Sequence, residues 1–233
     1  MSDSSPFSTD TSPTSVNLAR SSRSWTQAES AAGFILRYLS PMKSLLMEIL
    51  PAEADTDRAL KRLLTHLVSA GFGQKHNGNL RQFVAMAIRS CVKSHFAESK
   101  TPLPEAVQHQ LASVGNDSDR WRGLWRDCLL QRAWRALERL EHQDLSRPLF
   151  ELLWITEHEG DLPTADLIRR VAEKTQIEVP VGRVVPLLAE ARMLFAQFLA
   201  DEVAETLQNP DVGAVHAEIA FLQLETYYDG VPL

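Results

Sequence analysis

The 233-residue sequence lacks features that several classes of protein require. It has two cysteines, Cys91 and Cys128, which are too few for a disulfide framework or a cysteine-based zinc site. No apolar run is longer than six residues, whereas a membrane-spanning helix needs about 20. The first 24 residues include Asp3 and Asp10 and have no apolar centre, so they do not resemble a secretory signal. We therefore expect a cytoplasmic protein that makes no membrane contact.

Signatures of catalysis are also missing. The sequence contains no His-Glu-x-x-His, Gly-rich phosphate loop, Gly-x-Ser-x-Gly or Cys-x-x-Cys motif. Its seven histidines are scattered, and no two of them are three or four residues apart. We therefore expect no enzymatic activity, no metal, no cofactor and no small-molecule substrate.

The apolar residues recur with helical spacing along the chain, and no stretch alternates with a period of two. This pattern predicts an all-α protein. Because nine serines and three threonines lie in the first 24 residues, we expect a disordered tail there. The remaining chain divides into a first helical bundle, a linker rich in Pro, Gly and Asp, a second bundle and a helical extension, over 25–98, 99–119, 120–207 and 208–233.

The formal net charge of −6 is unevenly distributed. Segment 31–98 carries +4, whereas 161–207 carries −3 and 208–233 carries −4. The acidic total therefore does not exclude a nucleic-acid partner for the first bundle.

A basic stripe lies on the helix predicted from about residue 80 to residue 96. Arg81, Arg89 and Lys93 fall within about 120° of one another, on the side away from the apolar residues. Cations beside aromatic residues such as Phe83 suit a nucleic-acid strand, because the charges hold phosphates and rings stack on bases. The alternative is the solvated basic face of an ordinary amphipathic helix.

A second pattern is a helix, a short turn and a longer helix over 162–199. Ala172 is a small residue where the two helices would approach closely, and Val184 would fill the core between them. This layout predicts a helix-turn-helix, and the alternative is a simple α-hairpin. Trp121 and Trp125 are four residues apart, so we expect both rings in the core of the second bundle.

In this order, the segments resemble bacterial RNA polymerase sigma factors of the small extracytoplasmic-function type. The similarity spans about 24–207 and includes Phe34-Ile35-Leu36-Arg37-Tyr38-Leu39 and the 80–96 run. Its C-terminal part covers 121–140, 163–172 and 179–203.

The resemblance implies two partners, core RNA polymerase and promoter DNA, and it allows an anti-sigma protein. It places the polymerase contact at Asp57 and Lys61. It places Arg183 and Arg192 on the helix that enters the −35 major groove. The residues that it assigns to capture of the melted −10 strand are Arg81, Phe83, Arg89, Lys93 and His95.

A second interpretation stays open: a sigma-derived interaction protein that has lost promoter DNA binding. Pro186 lies about one turn into the predicted reading helix, and Glu190 stands where the family usually has a basic residue. The Gln expected after Asp57 is absent. These departures favour the second interpretation.

Overall fold

The structure is a computed structural model. It describes residues 15–18, 20, 25–27, 31–50, 52–70, 78–115, 118–160 and 162–232. Every regular element in these ranges is helical, which confirms the all-α prediction. None of the described helices is both long and apolar enough to cross a membrane.

The described residues form ten α-helices and two short 3-10 helices, at Trp25–Gln27 and Glu225–Tyr228. The α-helices are α1 (Ala31–Leu36), α2 (Leu39–Ile49), α3 (Glu53–Ala70), α4 (Leu80–Glu98), α5 (Glu105–Ser113), α6 (Asp119–Gln143), α7 (Leu149–Glu159), α8 (Thr164–Thr175), α9 (Val181–Glu205) and α10 (Val212–Phe221).

Helix α5 lies inside the segment predicted as a linker. Its residues Val107 and Leu111 are buried, and the helix packs against α2. The prolines of this segment indicated a linker in the sequence. Pro104 is instead the N-cap residue of α5, directly before its first turn. The described residues of segment 99–119 therefore include a packed helix.

One continuous core joins the two predicted bundles, because α6 packs against α2 as well as against α7 and α9. The Tyr38 ring stacks on the Trp125 ring, with centroids 4.9 Å apart and planes 9° from parallel. The Leu80 N–H donates to the Thr206 carbonyl at 2.8 Å. No separation between 25–98 and 120–207 is visible among the described residues.

The segment around Val16 and Leu18 is packed, although the sequence predicted a disordered tail over 1–24. Both side chains are buried, and the Val16 N–H donates to the Pro232 carbonyl at 2.7 Å. The prediction of a tail was based on the many Ser and Thr residues of this segment, and it gave no weight to these two apolar residues. The tail prediction is therefore wrong for them, while residues 1–14, 19 and 21–24 lie outside the described part of the chain.

Two predictions about the core are confirmed. Trp121 and Trp125 are fully buried, with ring centroids 5.4 Å apart. Val184 is also buried. The long helix α9 packs against α6, α7, α8 and α10, so it is the central element of the C-terminal half.

Candidate nucleic-acid interface

Helix α4 begins at Asn79, whose side chain accepts a hydrogen bond from the Gln82 N–H at 3.0 Å. Arg81 lies in this first turn and is 2% exposed. Its Nε donates to Glu218 Oε1 at 3.1 Å, and its guanidinium lies 4.1 Å from the centre of the Phe221 ring. In this conformation Arg81 cannot contact nucleic acid, contrary to the prediction from the sequence. The spacing of residues along α4 could not predict this contact, because Glu218 lies 137 residues further along the chain.

Two other predicted strand contacts are also turned inward. His95 is buried, and its Nε2 lies 3.4 Å from Asp55 Oδ1 on α3. Phe83 is half-buried and tilts against the Trp25 ring, with centroids 5.2 Å apart. The structure therefore does not present either ring as an open stacking platform for bases.

Arg89 and Lys93 remain on the surface of α4. Lys93 is exposed and Arg89 is half-buried, and neither forms a salt bridge with a residue that the structure describes. Met86 and Ser90 are exposed beside them, and the spacing puts all four on one side of the helix. We call this surface, Met86, Arg89, Ser90 and Lys93, the α4 face. It carries two of the three predicted cations.

The residues predicted to contact polymerase lie on α3. Asp57 and Lys61 are both exposed and are four residues apart, so they share one side of the helix. Asp57 Oδ1 lies 4.0 Å from Lys43 Nζ, a separation typical of a weak, solvent-exposed ion pair. Both side chains are accessible to a partner.

The connection between α8 and α9 depends on a left-handed residue. Gln176 ends α8 with φ 61° and ψ 23°, and its N–H donates to the Ala172 carbonyl at 2.9 Å. The Ile177 N–H donates to the Thr175 hydroxyl at 3.2 Å, which fixes the chain as it leaves the helix. Residues 177–180 then lead directly into α9.

The first two turns of α9 have one buried side and one exposed side. Val184 and Leu187 are buried, whereas Val181 is 69% exposed and Val185 is 75% exposed. Arg183 is also exposed, but it lies about 160–200° around the helix axis from the two valines. We call the surface of Val181 and Val185 the α9 face. The resemblance assigned Arg183 to the DNA-reading helix, whereas the two exposed valines were not predicted.

Pro186 does not end α9, which is continuous from Val181 to Glu205. Proline has no N–H to donate to the carbonyl four residues earlier, which belongs to Gly182. Gly182 is exposed, so water can hydrogen-bond to that carbonyl. The helix therefore tolerates the proline at this position.

Glu190 does not stand alone beside the predicted DNA surface. Its carboxylate pairs with the Arg147 guanidinium, which comes from the connection between α6 and α7. Arg192 is exposed and lies 3.9 Å from Glu157 Oε1. The negative charge of Glu190, which departs from the family pattern, is therefore balanced by a cation 43 residues away in the sequence.

The two thiols are poor nucleophiles. Cys91 and Cys128 are free and buried. Burial raises the pKa of both thiols, that of Cys128 to about 11. Among the described residues, no group of three or more His, Cys, Asp or Glu side chains is arranged to hold a metal ion.

Comparison with known proteins gives no family for this chain. No protein-family model, no curated protein and no solved structure matches it. The resemblance to sigma factors therefore depends on the residues quoted above alone.

Proposed function

We propose that this chain is a transcription initiation protein of the sigma-factor type, which binds core RNA polymerase and promoter DNA. The observation that carries the proposal is the exposed start of α9, held by α8 with Val184 and Leu187 buried beneath it. A helix that reads DNA must present its N-terminal residues to the major groove, which is about 12 Å wide. The exposed start of α9 therefore supports the proposal that α8 and α9 form a helix-turn-helix.

The side chains of the α9 face suit base edges. Val181 and Val185 are four residues apart and expose their methyl groups on one side of the helix. Apolar side chains in the major groove contact the C5 methyl group of thymine, and arginine binds guanine or phosphate. Valine also has lower helix propensity than alanine or leucine, so two exposed valines do not favour the helix itself.

Few cations near α9 are available for phosphates. Those on α8 all lie close to acids, in the pairs Arg169–Asp166, Arg170–Glu159 and Lys174–Glu151. Because phosphate contacts supply most of the affinity for duplex DNA, we expect the chain alone to bind duplex DNA weakly. Stable promoter binding would then require core polymerase, contacted through Asp57 and Lys61.

The α4 face would supply the contact with the melted −10 strand. Arg89 and Lys93 offer two cations for phosphates. Two phosphate contacts on a single strand correspond to a log–log salt slope of roughly −1.4. This weak, salt-sensitive contact would act only after polymerase has opened the duplex.

The test is reconstitution with core polymerase purified from the same cells. We expect the full chain to be retained by core polymerase and the complex to protect selected promoter fragments. Replacing Arg183 with Glu and Val185 with Asp should abolish protection while leaving retention intact, because both substitutions add negative charge to the exposed start of α9, which would lie against the DNA. Leu145→Asp is the control, since Leu145 is exposed in the connection between α6 and α7. Failure of the wild-type chain to bind core polymerase would refute the proposal.

The burial of Arg81 and His95 favours a second candidate, an interaction protein that has lost promoter DNA binding. The same reconstitution separates the two. Retention by core polymerase without protection of any promoter fragment would support this candidate.

A further inference from the structure

The start of α4 is held by the C-terminal part of the chain. The Gly78 N–H donates to Gln208 Oε1 at 2.9 Å, and Asn79 Nδ2 donates to Glu218 Oε2 at 3.0 Å. Together with the hydrogen bond from Leu80 to Thr206, these contacts join three successive residues to the end of α9 and to α10.

The Glu218 carboxylate is bound through both oxygens at this site. Oε1 accepts from Arg81 and Oε2 accepts from Asn79, and both charged side chains are more than nine-tenths buried. The Phe221 ring covers the guanidinium, and the Trp121 indole N–H donates to the Arg81 carbonyl at 3.2 Å. The Arg81–Glu218 pair is therefore closed to solvent.

Arginine binds carboxylate and phosphate oxygens with the same planar geometry. A site with an arginine and an amide donor, lying on the basic segment 31–98, is chemically suited to a phosphate group. In this structure the Glu218 carboxylate occupies the site, and Glu218 belongs to the acidic segment 208–233.

We propose that Asn79 and Arg81 form a binding site for a backbone phosphate of single-stranded nucleic acid, and that α10 closes this site by placing Glu218 where the phosphate would bind. The proposal extends the proposed function, because it makes strand capture by α4 conditional on displacement of α10. The extension 208–233 is then an autoinhibitory segment.

Intramolecular competition lowers the apparent affinity in proportion to the fraction of open molecules. Glu218→Gln removes the charge but keeps the side-chain shape, so it weakens the contact while α10 can still fold. We expect this variant to bind a single strand at least about tenfold more tightly than the wild type. We also expect faster hydrogen exchange in α10.

The experiment uses the full chain and a fluorescein-labelled single strand of about 20 nucleotides, read by fluorescence anisotropy. Glu225→Gln is the matched control, because it removes one exposed negative charge from the same segment. The double variant Arg81→Gln with Glu218→Gln opens the contact and also removes the proposed phosphate ligand. It should lose the gain in affinity shown by Glu218→Gln.

Two outcomes would overturn the inference. In one, Glu218→Gln accelerates exchange in α10 but binds the strand no better than Glu225→Gln. In the other, the double variant binds as tightly as Glu218→Gln, so that the gain does not involve Arg81. If Glu218→Gln leaves the hydrogen exchange of α10 unchanged, the same comparisons are made with Asp211→Ala. This variant removes the side chain that caps α10.

Retention by core polymerase, measured on the same proteins, tests the proposed function separately. A chain that binds core polymerase but shows no effect of Glu218→Gln on strand affinity would refute the inference alone. A chain that does not bind core polymerase would refute the proposed function, whatever its affinity for the strand.

Discussion

Replacing Trp125 with alanine should destabilise the whole chain, because this ring connects α6 to the N-terminal helices. Trp125 is 0% exposed and is stacked on Tyr38, which lies between α1 and α2. It also contacts Trp121 one turn earlier on α6. The substitution would therefore leave a cavity at the junction between the two halves.

The magnitude follows from the buried area. An aromatic side chain of this kind buries about 150–250 Å², which at about 25 cal/mol per Å² corresponds to roughly 4–6 kcal/mol. Alanine keeps Cβ, and the neighbours relax in part, so we expect a loss of about 3–5 kcal/mol in the free energy of unfolding. For a chain of this length, such a loss lowers the melting temperature by roughly 6–20 °C.

Denaturant unfolding followed by circular dichroism measures this loss, with Trp125→Phe as the control. Nε1 of Trp125 has no acceptor among the described residues, so Trp125→Phe removes no hydrogen bond to those residues. Phenylalanine also keeps an aromatic ring that can stack on Tyr38. We expect the control to lose about 1–2 kcal/mol. An unchanged midpoint for Trp125→Ala would refute the burial of the ring. Two separate transitions, of which only one shifts, would refute the shared core.

Three further outcomes follow from the buried groups. Leu18→Ala should lower the free energy of unfolding by about 2–4 kcal/mol, because Leu18 is buried against the core. Thermal unfolding measures this loss, and an unchanged melting temperature would show that Leu18 does not pack against the core. Cys128 should react slowly with a disulfide reagent at about pH 8 until the chain unfolds, because burial raises the pKa of its thiol to about 11; rapid reaction in the folded state would contradict this burial. Burial also raises the pKa of Glu202, so its contribution to stability is fully present below the unfolded pKa and is lost as the pH rises through the folded pKa. Glu202→Gln should therefore reduce the fall in unfolding free energy as the pH rises above 4.5, the ordinary pKa of this carboxyl, and an unaltered slope would refute this assignment.

Local pattern was sufficient to predict most helices and much of the core. The spacing of Trp121 and Trp125 determines which side of α6 is buried, and α4 begins at Leu80, where the sequence predicted it. Helix α5 was missed because its nine residues, following two prolines, carry only two inward apolar positions. Val16 and Leu18 were missed because their partners lie almost at the other end of the sequence.

The candidate site was harder to predict, because its electrostatics depend on contacts between distant residues. Arg81 looks like a surface cation on a helical wheel, and only the packing of α10 shows that Glu218 neutralises it. Glu190 looks like a repulsive acid, and only the tertiary fold shows Arg147 beside it. Spacing along one helix cannot reveal either partner. Arg89, Lys93 and Arg183 were placed correctly on the surface because nothing distant in sequence covers them.

The shared core limits what the observed conformation can do. The 25 residues of α9 span about 37 Å, and the C-terminal end of this helix contacts the start of α4. The −10 and −35 elements are centred about 25 base pairs apart, or roughly 85 Å along the duplex at 3.4 Å per pair. The α4 face and the α9 face therefore lie too close together for both elements to be bound at once in this conformation.

The proposed function consequently requires the two halves to separate when core polymerase binds. Separation would break the Tyr38–Trp125 stack and the Arg37–Glu205 ion pair, whose atoms lie 2.6 Å apart. We expect faster hydrogen exchange in α2 and α6 in the complex with core polymerase, and a larger distance between spin labels placed on the exposed residues Met47 and Leu145. Promoter protection with an unchanged label distance would show that the compact form is itself active. Opening of the site at Asn79 and Arg81 would then require the displacement of α10 alone, because the Glu218 contacts are distinct from the contacts between Tyr38 and Trp125 and between Arg37 and Glu205.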